Sequence, residues 1–253
     1  MKKKYGLIPV ALFLILWETL ARFSIFPGNL FFPPFSEVIK EFYCLLITGI
    51  LPNNFLKSFI RVLIGFFSGS IMGIIVGVLM GWNRYIDRTL HPIFSLFYPI
   101  PALGWLPILL IWFGIGEILP IMIIFICSFF PVLYNTVTGI KEVNNNYILV
   151  ARTLGAGKRK ILFKIVIPLA LPNIFTGLRL EAGMAWRVII AAEMVAIPTG
   201  LGALLMRAES LMRLDIIIVV LMILSLMCFL FEKIFIILEK RLDNGTILRL
   251  TKE

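Results

Sequence analysis

Six long runs of apolar residues, separated by short polar breaks, organise this chain: Gly6 to Phe26, Ser58 to Gly81, Pro92 to Phe113, Ile118 to Ile140, Leu169 to Val195 and Leu214 to Leu238. Each reaches about 20 residues, the length an apolar helix needs to cross about 30 Å of hydrocarbon. The pattern therefore predicts an all-α, polytopic membrane protein with about six transmembrane helices. After the first run, Pro33 and Pro34 hold the chain extended and Ser36 can cap a helix. Val38, Ile39, Phe42, Leu45 and Leu46 then recur at helical spacing. Two placements suit that short amphipathic helix: flat on the outer membrane surface, or packed against the other spans.

Three spans carry internal marks. The second has Gly65, Gly69, Gly73, Gly77 and Gly81, a stripe along one helical face that permits close backbone contact. That contact is expected within the subunit or at a subunit interface. The third is interrupted by Pro92, Pro99, Pro101 and Pro107 around Gly104 and Trp105. Non-helical backbone at membrane depth survives where protein or a water-filled cavity surrounds it, so this span is expected either to line a pathway or to be a kinked structural helix. The fifth contains Arg179, Glu181, Trp186, Arg187 and Glu193. Arg187 and Glu193 stand about 240° apart around a helix, so their partners are expected on other helices.

Composition agrees with a membrane protein: 60% of residues are hydrophobic and only 15% charged, with a mean hydropathy of +1.00. A soluble domain carries about one quarter charged residues. Basic residues collect on one side of the predicted topology, at Lys2, Lys3 and Lys4, at Arg84 and Arg88, between Lys141 and Lys164, and between Lys240 and Lys252. Lys40, Lys57, Arg207 and Arg213 fall on the other. Cytoplasmic flanks retain Lys and Arg, which places both termini inside, in a cell membrane. The formal charge of +10 follows from topology, and no nucleic-acid partner is implied. The N-terminal Lys run precedes no small-residue cleavage site, so the first span is read as uncleaved.

Catalytic material is sparse. Cys44, Cys127 and Cys228 are dispersed and His91 is the single histidine, so neither a metal site nor a catalytic triad is expected. Gly155-Ala156-Gly157-Lys158 suggests a phosphate-binding loop but fails its spacing: Arg152 stands where the first Gly belongs and Arg159 where Ser or Thr belongs.

Between the fourth and fifth spans lies a polar, basic segment, about 141–168. Asn144 to Asn146 can start a short helix, Gly155 can close it in the left-handed conformation, a second helix is expected from about Lys158, and Pro168 suits the first turn of the next span. The segment resembles the coupling loop of ATP-driven importer membrane subunits. That pattern is Glu-Ala-Ala, a Gly four residues after the second Ala, then nine residues and Ile-x-Leu-Pro. The matching positions here are Leu149, Val150, Ala151, Gly155, Ile165, Ile167 and Pro168, with Arg152 beside them. Ala151, Gly155, Ile165 and Pro168 keep the pattern. Leu149, Val150 and Ile167 depart from it, and any ion pair from the Glu position is lost.

The resemblance continues through Phe32-Pro33-Pro34, Ser58-Phe59-Ile60-Arg61, the Pro99 to Pro107 run, Trp112-Phe113-Gly114-Ile115-Gly116, and Ala192-Glu193-Met194 with Gly200-Leu201-Gly202. These are similar to the nitrate, sulfonate and taurine branch of ABC importer permeases. It implies a type I importer permease bundle, a single permease domain over 1–253 that has no ATPase site and no cofactor of its own. ATP would be bound by two cytoplasmic partner subunits. It also implies a second permease copy, giving a homodimer, and an extracytoplasmic binding protein that delivers a small molecule of the sulfonate, taurine, nitrate or vitamin-precursor class. Ala151, Gly155 and their neighbours would dock the ATPase, with small Ala151 allowing close approach. Trp105, Trp186 and Glu193 are candidates for lining the pathway. The competing expectation is an ion-gradient-driven transporter using Glu181 or Glu193 as proton carrier.

Overall fold

Apolar runs become helices here because, at membrane depth, backbone N–H and C=O groups find partners only within the chain. The structure, a computed structural model, describes residues 7–23 and 32–250. Lys2, Lys3, Lys4 and Lys252 of the charge asymmetry, Gly6, and residues 24–26 of the first expected span lie outside the described residues. Four helices are long and apolar enough to cross a membrane: α3 (Ile50–Trp82), α6 (Ile118–Lys141), α9 (Ile167–Ala196) with the turns leading into it, and α11 (Leu214–Leu250). The 16 described residues of α1 (Leu7–Arg22) fall short of a full crossing. Among the described residues there is no strand.

α2 (Phe35–Ile47) is the short amphipathic helix expected from the pattern, and it packs inward. Val38 and Leu45 are buried against α3 and α11, and Glu41 pairs with Arg213 at 2.8 Å. α3 starts at Ile50 rather than at Ser58, because Gly49 adopts a φ of 72° that turns the chain directly out of α2. Its glycine stripe faces α6 within the same subunit. A Cβ at Gly69 would lie 2.5 Å from the carbonyl oxygen of Phe125, and one at Gly73 2.7 Å from that of Phe129. At Gly69 and Gly73 the seam is backbone against backbone, and at Gly65, Gly77 and Gly81 the glycine backbone receives the Ile124, Thr136 and Ile140 side chains of α6. Gly73→Leu is expected to force the two helices apart at a cost of about 1–3 kcal/mol or more; an unchanged melting temperature in detergent would contradict this close contact.

The third span is a broken one. α4 (Arg84–Phe97), a single 3₁₀ turn (Ala102–Trp105) and α5 (Leu106–Phe113) replace a straight helix, with an 85° bend between the two halves. Pro99 and Pro101 cannot donate to the ladder, and the break closes locally through Ile100 N–H to Phe97 O at 3.1 Å and Gly104 N–H to Pro101 O at 2.7 Å. The pair still follows α6 from end to end. Asp87 meets Lys141 at 2.6 Å at one extreme, and Trp105 and Leu109 pack on Leu119 and Ile123 at the other. It is therefore one interrupted crossing antiparallel to α6.

After α6 come α7 (Asn145–Thr153) and α8 (Lys158–Ile161), then a π turn (Leu162–Val166) that runs into α9. Pro168 sits in the first turn of α9, as expected. The expected start at Leu169 is not a boundary, because the helix is continuous from Lys158 to Val195. α10 (Leu201–Ser210) closes the end of the bundle over α3 and α9. The main core gathers Phe66, Trp186, Ile189, Leu201 and Val220 from α3, α9, α10 and α11.

Candidate functional site

The segment between α6 and α9 is built from local rules. The Asn144 side chain accepts the Asn146 N–H at 2.9 Å and caps α7. At the other end Gly155 takes φ 78°. Ala156 N–H reaches Ala151 O and Gly155 N–H reaches Arg152 O, both at 2.9 Å, the paired closure that a left-handed glycine permits. Ala151, expected to lie against another protein, is 7% exposed and packs on the chain's own Val143, Ile161 and Val166. Its small size lets α7 sit close to the base of α9. The outward face is Tyr147, Leu149, Val150 and Leu154, with Leu154 82% exposed. Arg152 and Gly155 are also exposed, while Ile165 and Pro168 are half-buried in the helix that follows. Beside this face opens a cavity of about 740 Å³ lined by Trp82, Arg84, Tyr85, Leu149, Arg152 and Lys158 among others. The face therefore combines exposed apolar side chains with a rim of cations.

A second constellation lies at the opposite end of the bundle. Arg61 is 1% exposed, one turn after Lys57 and Ser58 near the start of α3, where the long apolar stretch of that helix begins. Its five N–H groups are all used. Nε and Nη2 clasp the Glu117 carboxylate at 2.6 and 2.7 Å, Nη1 meets Glu193 at 2.6 Å and Thr199 O at 2.9 Å, and Nη2 also meets Thr199 Oγ1 at 2.7 Å. Glu193 on α9, 0% exposed, also accepts the Ser58 hydroxyl at 2.8 Å and Gly202 N–H at 3.0 Å. Ser58 Oγ in turn accepts Leu201 N–H at 2.8 Å, and Asn54 Oδ1 accepts Gly200 N–H at 2.9 Å. A side chain on Gly200 would strike the Glu193 carboxylate, and one on Gly202 the carbonyl of Ile190, so glycine is what admits the backbone here. Arg61 holds the Glu117 carboxyl below the ordinary carboxylate range through its hydrogen bonds. The network fastens α3, α9, the start of α6 and the turn into α10 to one another.

Ser58 to Arg61, from the second span, and the Ala192 to Met194 and Gly200 to Gly202 pair thus form one site. Glu117, Asn54 and Thr199 went unnoticed. The available signal was Arg61 itself, since a cation inside an apolar span demands a partner. Trp186 is 0% exposed, stacked near Phe55 and Phe59, and Trp105 is half-buried beside Phe97. In this conformation Trp186 and Glu193 are sealed within the subunit. Glu181 is buried and accepts a hydrogen bond from Cys127 Sγ at 3.3 Å. Arg179 pairs with Glu239 on α11 at 2.9 Å. Arg187 is exposed, with its Nη1 3.5 Å from Met184 Sδ.

Residues 69–244 match the family described as the binding-protein-dependent transport system inner membrane component. A protein of Methanocaldococcus jannaschii described as an ABC transporter permease is 42% identical over 222 residues, covering 85% of this chain and 82% of that protein. The taurine transport system permease protein TauC of Escherichia coli is 32% identical over 242 residues, covering 92% and 86%. Other relatives carry the names of nitrate, aliphatic sulfonate and bicarbonate permeases. In fold, the chain is similar to one in an inward-facing structure of the MetNI methionine ABC transporter, with a TM-score of 0.58, 18% identity, and coverage of 74% of this chain and 94% of that one. The chain belongs to the binding-protein-dependent inner membrane component family. It is a multi-pass permease subunit of an ATP-driven importer, and the family implies partnership with ATP-binding subunits and a substrate-binding protein.

Proposed function

We propose that this subunit works as a homodimer with two ATP-binding subunits, that its termini and the α7 segment face the cytoplasm, and that the exposed face of α7 is where the ATPase docks. The carrying observation is the construction of that segment: a capped helix held against the base of α9 through Ala151, with Val150 and Leu154 left facing outward. ATP and its closure chemistry reside on the partners; movement of the docked segments is transmitted to the membrane helices as rigid-body displacement. Leu149, Val150, Leu154 and Arg152 make the contact, while Ala151, Gly155, Ile165 and Pro168 set its shape. The cargo is a small molecule handed over by the extracytoplasmic binding protein. An ion-gradient mechanism using Glu193 has no support here, because Arg61, Ser58 and Gly202 already occupy that carboxylate.

The test is reconstitution in lipid with the cognate ATPase and binding protein, measuring ATP hydrolysis against taurine, alkanesulfonates, nitrate, bicarbonate and a pyrimidine vitamin precursor. Stimulation by one of these, dependent on the binding protein, is the expected result. Failure of the chain to associate with the ATPase would overturn the reading.

A further inference from the structure

The ionised groups within the long helices are mostly compensated: Arg61 by Glu117 and Glu193, and Arg179 by Glu239. The exceptions include Glu232 on α11, near the Cys228 thiol that Arg187 also approaches, and Arg187 itself. It lies nine residues from the Ala196 end of α9, about 13 Å along the axis, and about 30 Å from the Ile167 end. It is exposed, and among the described residues no carboxylate lies within ion-pair distance. A cation facing hydrocarbon at the centre of a span costs about 2.5–3.5 kcal/mol on insertion scales. The exposed stripe that carries it, Leu180, Met184, Arg187 and Val195, also differs from the outer face of α3, where Ile60, Ile64, Phe67, Ile71 and Ile75 are exposed and the one polar residue among them, Ser68, is uncharged and bonded to its own helix.

Building on the importer reading, we propose that Arg187 lines the translocation pathway and is its anion-selecting contact. The guanidinium is a planar fork whose N–H pairs match two oxygens of a sulfonate, nitrate or carboxylate. Met184 Sδ and the Cys228 thiol of α11 are weak acceptors that leave most of those donors free, and a passing oxyanion would satisfy them. Because the site is a single cation, it attracts the cargo without trapping it, and the negatively charged member of a neutral and anionic pair crosses faster.

Two readouts test this on the full reconstituted complex. In a background where Cys44, Cys127 and Cys228 are replaced by serine, Arg187→Cys should react with a water-soluble anionic thiosulfonate, and nitrate or ethanesulfonate with ATP should slow that reaction. A thiol that stays inert throughout the ATP cycle places residue 187 against lipid or a second subunit and overturns the proposal. In uptake assays with taurine, nitrate, ethanesulfonate and bicarbonate, Arg187→Gln should lower transport of the anion carried by the native complex at least tenfold, while Arg187→Lys retains a third or more. Equal uptake by the Gln variant overturns the selecting role. ATP-driven transport of a neutral or cationic cargo alone would also overturn it, yet leave the importer assignment standing.

Discussion

Arg61→Ala is expected to be among the most damaging single substitutions in this subunit. Removing the guanidinium leaves Glu193 sealed in the bundle with only Ser58 and Gly202 N–H as donors. Stripping one partner from a buried ion pair costs about 3–5 kcal/mol, because the other charge stays buried and uncompensated. Glu117 suffers less, since its side chain is largely open to water. The diagnostic comparison is the double variant Arg61→Ala with Glu193→Gln, which removes the stranded charge while keeping an acceptor for Ser58 and Gly202. Thermal unfolding in detergent should show a large loss for the single variant and substantial recovery in the double. If the single and double variants melt alike, the network is not a charge-compensated clamp.

The second large effect concerns the α7 segment, where neighbouring positions should fail for different reasons. Leu154→Asp places a charge on the outward face, and it should abolish capture of the ATP-binding subunit while leaving the subunit's own melting temperature near native. Ala151→Asp buries a carboxylate among Val143, Ile161 and Val166, so it should lower the melting temperature as well as coupling. An uncompensated buried charge is costly enough to unseat the helix. Affinity capture with tagged ATPase, read beside the melting curves, separates these outcomes. Should Leu154→Asp capture the ATPase normally, the docking face lies elsewhere on the segment.

Much of the architecture was legible because it is periodic. Apolar runs marked the helices, and the glycines at every fourth position of α3 marked its contact face, although only the folded chain shows that the facing helix is α6. The left-handed Gly155 and the Asn144 cap followed from residue chemistry alone. What escaped was non-local. Glu193 was expected to have a partner on another helix, but nothing in a linear chain points from it to Arg61, 132 positions away, or from Arg61 to Glu117. The direction of Ala151 escaped for a related reason: a small residue permits close approach on either face of a nine-residue helix, and packing by Ile161 and Val166 decides which. The continuity of α8 with α9 was hidden by Pro168, which punctuates a sequence yet fits a helix whose hydrogen-bonding pattern has already shifted through a π turn.

That continuity makes the segment from Lys158 to Val195 a lever arm. At 38 residues it is a rod about 57 Å long, with α7 clamped to its near end and Glu193 pinned at its far end to the Arg61 anchor. With no loop between them, a push on the near end cannot be absorbed as slack. It becomes torque on the pinned tip, and the rod must tilt as a whole or yield where its hydrogen-bond ladder is interrupted, at the π turn or at Pro172. On the docking proposed above, stiffening that π turn by deleting its extra residue would shift the balance from yielding toward tilting, so a stroke at α7 would be felt further along the rod.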